Sequence, residues 1–132
     1  MKLLKIALVV SLVLLAVYYY VDNYVASHPL MGVWKSDREL SLKEYYAVGI
    51  SAEQEAALKA SLGKKTLRIT KDQWMSSYEG KNEIFSYFIA SEDGSCFVVK
   101  KKLKPAETAC VEDGLLYVPG TIEGSREVYV RL

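Results

Sequence analysis

The stretch Leu30-Met-Gly-Val-Trp-Lys-Ser-Asp-Arg-Glu-Leu40 decides the fold. It follows a long apolar run, places Gly32 two residues before Trp34, and then turns polar. Glycine permits a tight backbone bend, and tryptophan supplies a large apolar plug. We read it as the start of the first strand of a small β domain, with that strand running from Val33 to about Leu42. The chain has 132 residues, and the part beyond the apolar run is long enough for one small domain.

Upstream, "MKLLKIALVVSLVLLAVYYYVDNY" has a short basic start, Lys2 and Lys5, and an apolar run from Ile6 to Val21 broken only by Ser11. As a helix that run spans about 24 Å at ~1.5 Å per residue, and Leu3 and Leu4 extend it toward the ~30 Å of a hydrocarbon core. Tyr18, Tyr19 and Tyr20 fall where aromatic side chains meet headgroups. A cleaved signal peptide is the competing reading, but Ala16 has Leu14 in place of a small residue two positions before it, and Ala26 has Tyr24. The expected organisation is a transmembrane anchor at 1–24, a linker at 25–31 and a β domain at 32–132. The basic start places the N-terminus in the cytoplasm and the domain outside it, in the periplasm or its equivalent.

The whole chain carries 17 basic and 16 acidic residues. Removing Lys2, Lys5 and Asp22 leaves the domain with equal numbers of each sign. A neutral domain has no general attraction for nucleic acid or anionic lipid, so any such contact must come from a local cluster. The single histidine, His28, precedes Pro29 in the linker, so no Ser–His–Asp, Cys–His or zinc site is expected. No phosphate loop or paired carboxylates stand out, and neither catalysis nor a cofactor is expected. The one charge cluster, Lys100 to Lys104, reads as a soluble hairpin, with contact to lipid headgroups as the functional alternative.

"SAEQEAALKASLG" reads as a helix. Ser51 and Gln54 make a capping box, Gly63 suits the residue after its end, and Leu58 and Leu62 form a narrow apolar stripe. After Gly63 the pattern changes to period two. "KTLRITK", "QWMSSYEG", "EIFSYFIA", "SCFVVKKKL", "ETACV", "LLYVP" and "REVYVRL" are strand-like, separated by turn-forming residues. "EIFSYFIA" is apolar on both faces, as expected of a strand covered by the helix. With the first strand this makes about eight, enough for an up-and-down antiparallel β-barrel with one short helix between strands 1 and 2.

"GVW" opening the first strand resembles the Gly-x-Trp of lipocalin and wider calycin barrels. "GVWKSDRELSL", "LGKKTLRITKD" and "SSYEG" together resemble small bacterial lipocalin-like domains of unassigned function. The resemblance implies that Trp34 plugs the closed end and that an arginine near the end of the last strand packs over it. Arg131 is the first choice and Arg126 the second. Strict alternation raises a difficulty, because Arg131 points outward if Val128 and Val130 point inward. Cys96 and Cys110 are equidistant from residue 103, at the centre of a hairpin, which sets them opposite each other as a disulfide.

Two functions follow as expectations. One is a membrane-tethered module whose small cavity, lined by Leu67, Ile69, Trp74, Phe85, Tyr87 and Phe97, takes a lipid or other apolar ligand beneath Leu58 and Leu62. The other is an accessory protein with a filled barrel that docks onto a larger membrane protein complex.

Overall fold

A computed structural model describes residues 2–20 and 28–132. Met1 and residues 21–24 of the expected anchor, residues 25–27 of the linker and with them the Ala26 cleavage site lie outside the described residues. Helix α1 (Lys2–Tyr20) is long and apolar enough to cross a membrane, and its described side chains are exposed. A signal sequence would meet the same description.

The domain is a closed barrel of eight antiparallel strands, each paired with its neighbour in sequence, with β8 returning to β1. The strands are β1 (Gly32–Ser36), β2 (Thr66–Ile69), β3 (Gln73–Tyr78), β4 (Lys81–Asp93), β5 (Cys96–Lys101), β6 (Glu107–Glu112), β7 (Leu115–Pro119) and β8 (Arg126–Arg131). Closure pairs Trp34 with Arg131, Lys35 with Val130 and Ser36 with Tyr129. It leaves no free sheet edge.

The first strand is shorter than its sequence suggested. Asp37 ends the extended run by accepting a hydrogen bond from the Leu40 amide, 2.9 Å away, and so caps helix α2 (Arg38–Val48). Helix α3 (Ala52–Ser61) follows, with the Ser51–Gln54 capping box formed and Gly63 at φ +86° just past its end. Two short helices therefore join β1 to β2 where one was expected.

Where β1 stops, α2 takes over the exposed side of β8. The Ser41 hydroxyl accepts from the Val128 amide (2.8 Å) and donates to its carbonyl (3.2 Å), and the Asp37 amide donates to the same carbonyl (2.9 Å). Helix α2 thus covers β8, and α3 packs on α2, where a helix over β4 was expected. The apolar outer face of β4 is left bare, with Ile84 61% and Phe88 62% exposed.

Alternation also resolves the last strand. Leu116 faces Tyr129 across β7 and β8, and both are buried in the barrel core. Tyr129 and Arg131 therefore lie on the inner face, while Val128 is buried on the outer face beneath α2. The condition that raised the difficulty does not hold, because Val128 and Val130 lie on the outer face, and Arg131 reaches Trp34 with no bulge in β8.

Cys96 lies opposite Cys110, and a disulfide joins them.

Candidate functional site

The two barrel ends differ in chemistry. The floor is where the chain enters. Trp34 is fully buried there, and its indole N–H donates to the Leu30 carbonyl (2.9 Å). The Arg131 guanidinium lies 4.1 Å from the indole ring centroid and donates to the carbonyls of Met31 (2.7 Å) and Pro29 (3.0 Å). Gly32 has φ +142°, and a Cβ there would come within 2.4 Å of Arg131 Nη1. Gly-x-Trp and the terminal arginine are thus one device. Glycine leaves room for the guanidinium, which covers the ring as a cation–π partner and ties down the entering chain.

Above this plug the lower barrel is filled. Leu67, Ile69, Trp74, Tyr87, Phe97, Val99, Ala109, Leu116 and Tyr129 form one buried cluster. Burying each large side chain contributes about 1.5–3 kcal/mol, so this packing is the main source of stability. Tyr87 donates its hydroxyl to the Thr70 carbonyl, which satisfies the group as it enters the core.

The opposite end, near the helices, is open. A cavity of about 330 Å³ lies at the mouth, with Trp74 and Phe85 as its aromatic wall and Lys65, Ser76, Glu83, Lys101, Lys104 and Glu107 around them. A recess of about 150 Å³ shares Lys65, Trp74, Lys101 and Glu107 and continues past Leu67 to Glu127 and Tyr129. Lys101 bonds Glu107 at 2.6 Å and sits 4.4 Å from the Trp74 ring centroid. Glu127 accepts from Tyr45 (3.1 Å) and Tyr129 (3.1 Å), one hydroxyl on each oxygen. The Thr121 amide donates to the Tyr45 hydroxyl at 3.0 Å, and Gly120 leaves room for it, since a Cβ there would lie 2.6 Å away. Burial, together with Glu127, pushes the Tyr129 hydroxyl well above the ordinary tyrosine range.

The six residues named from sequence as a ligand wall divide between these zones. All six share the inner face. Trp74 and Phe85 border the mouth cavity, and Leu67 borders the recess. Ile69, Tyr87 and Phe97 belong to the packed floor. Leu58 and Leu62 pack with Leu42, Tyr45, Ile50 and Ile122, and border neither space. Sequence reasoning missed the polar ring of Lys65, Lys101, Glu107, Glu127 and Tyr129. Alternation was the available signal, because Lys101 follows Phe97 and Val99 at steps of two, and Glu107 precedes Ala109 in the same way.

A cavity of this kind can hold a small molecule with an apolar part against Trp74 and Phe85 and a polar part among balanced charges. No protein-family model matches the chain, and no curated protein matches it. Two solved structures are similar in fold. One is a point mutant of the REP1-NXSQ fatty acid transporter, with 17% identity, a TM-score of 0.44, and coverage of 78% of this chain and 98% of that one. The other is apo lipid binding protein 8 of Caenorhabditis elegans, with 19% identity, a TM-score of 0.41, and coverage of 79% and 96%. Likeness at this level transfers no residue role to this chain.

Proposed function

We propose that this chain is a single-pass, membrane-tethered barrel that binds one small lipid-like or other apolar molecule on the extracytoplasmic side. In this reading residues 1–24 are the anchor, 25–31 the linker and 32–132 the binding domain. The mouth cavity carries the proposal. Its volume of about 330 Å³ sits at the low end of the range for small-molecule sites, so the ligand is a short chain or compact ring and not a whole diacyl lipid. Trp74 and Phe85 take the apolar part, Leu67 the recess, and Ile69, Tyr87 and Phe97 back them as a rigid floor. Lys65 and the Lys101–Glu107 pair meet the polar end. Helix α1 supports the tether, its basic start supports the orientation, and the Cys96–Cys110 disulfide suits an oxidising compartment.

The filled lower barrel gives the accessory-protein reading its own support. An outer groove of about 370 Å³ along Val33, Arg68, Met75 and Ile84 offers that reading a docking place. One titration separates the two. Full chain in nanodiscs is mixed with increasing amounts of a brominated single-chain lipid, and tryptophan emission is followed. Ligand binding predicts saturable quenching that Trp74→Phe removes. Equal quenching in both proteins, or none, refutes a site at Trp74 and leaves the accessory role.

A further inference from the structure

The outer wall of β4 and β5 is bare, apolar and edged with lysines. Ile84 and Phe88 are more than half exposed on β4, and Phe88 lies opposite Lys100 on β5. The turn that follows β5 has Leu103 at its tip, 92% exposed and held at φ +63°, a conformation uncommon outside glycine. A groove of about 290 Å³ runs between Phe88 and the stems of Lys100 and Lys102. The Lys100 ammonium donates to the carbonyls of Lys101 and Lys104, which holds it over the turn. Lys102 has no carboxylate partner among the described residues. The neighbouring carboxylates are otherwise placed: Glu107 bonds Lys101, Glu83 faces the mouth, Glu92 bonds His28, and Asp93 is at the far turn of the hairpin.

The incoming chain arrives at the floor end of these same two strands, on their inner face. His28 bonds Glu92 of β4 at 3.2 Å, and its ring meets Phe97 of β5 edge-on at 4.4 Å. Only residues 21–27 separate His28 from the end of α1, and seven residues reach at most about 25 Å. If α1 is the anchor proposed above, the floor end of β4 and β5 stands within that reach of the bilayer, with the Leu103 turn one strand length away at the mouth end.

We propose that the β4–β5 wall and its Leu103 turn lie on the surface of an anionic bilayer. Phe88 and Leu103 enter the interface, while Lys100 and Lys102 meet lipid phosphates; Lys104 turns toward Phe85 at the mouth. Apolar side chains ringed by lysine suit such a surface, since each lysine near anionic headgroups adds electrostatic attraction. The barrel then lies on its side, with its mouth near the acyl region from which a lipid-like ligand would come.

The test uses full chain in vesicles of phosphatidylcholine with or without phosphatidylglycerol. A bimane label is placed on Leu103→Cys, or on Glu123→Cys in the β7–β8 loop as a control, with the native disulfide intact. Flotation with the vesicles after alkaline carbonate washing reports the anchor separately. The expected result is quenching of the Leu103 label by lipid-borne doxyl groups and protection from aqueous iodide, with the reverse at position 123. Lys100→Glu with Lys102→Glu should abolish most of the doxyl quenching. Loss of flotation would remove the anchor reading itself. A floating protein whose Leu103 label behaves like the control overturns the docked wall. So does a label shielded from both quenchers, which would mean contact with a second copy of the chain.

Discussion

Replacing Gly32 with alanine tests whether glycine, tryptophan and arginine act together at the floor. The added Cβ meets Arg131 Nη1 at 2.4 Å, and the backbone there has φ +142°. An L side chain in the positive-φ region costs about 1–2 kcal/mol. The clash falls on the tip of a flexible side chain, so Arg131 moves away and its contacts are lost. Those are a cation–π contact of about 0.5–1 kcal/mol at an exposed site and two hydrogen bonds to carbonyls. Each such bond contributes about 0.5–1.5 kcal/mol net, and solvent access keeps these near the lower figure. Gly32→Ala should therefore destabilise by about 2–4 kcal/mol. Arg131→Met separates the parts, because in its background only the backbone cost remains. Guanidinium unfolding of the full chain in detergent, followed by tryptophan emission, should give a coupling of about 1–2 kcal/mol between the two substitutions. Additivity within about 0.5 kcal/mol would refute the reasoning.

Ser41→Ala leaves the buried Val128 amide without its partner and should cost about 1–3 kcal/mol, read from the same unfolding curves, whereas a change near zero would mean that α2 does not complete the β8 edge. Reducing Cys96–Cys110, fourteen positions apart, should remove roughly 3 kcal/mol in the chain-entropy view; thermal melts with and without reductant measure this, and coincident melts would oppose it. Burial raises the hydroxyls of Tyr129 and Tyr87 above the ordinary tyrosine value of about 10. Above that pH the unfolded chain releases protons that the folded chain keeps, so stability is fully present below about pH 10 and falls as pH rises. Unfolding midpoints at about pH 9 and pH 11 should show this fall, and Tyr129→Phe should reduce it.

Much of the barrel is written in local pattern. Alternation from Thr66 onward places the strands, Ser51 and Gln54 place α3, and the symmetry of Cys96 and Cys110 about residue 103 gives their register. The first strand was over-extended because Arg38 to Leu42 suits a strand as well as a helix by local apolar pattern. The Asp37 cap and the contact of Ser41 with Val128, far along the chain, decide it. The facing of the last strand was left open by its sequence for a related reason. Val128, Tyr129 and Val130 are all apolar-capable, so the inner face is set by pairing with Leu116 and Trp34. The floor plug was legible as Gly32, Trp34 and Arg131. The polar mouth was not, because its charges come from strand ends that are brought together only when the barrel closes. Lys101 sits inside a lysine run that looks like surface, yet pleating turns that one residue inward to Glu107 and Trp74.

Native mass spectrometry of the full chain, released from mild detergent after extraction from its own membrane, tests the binding claim most directly. We expect the polypeptide to carry a single adduct with the mass of one small lipid-like molecule, and Trp74→Glu to lose it. Bare polypeptide from the unaltered protein, or an adduct that survives Trp74→Glu, would contradict a ligand held at the mouth of the barrel.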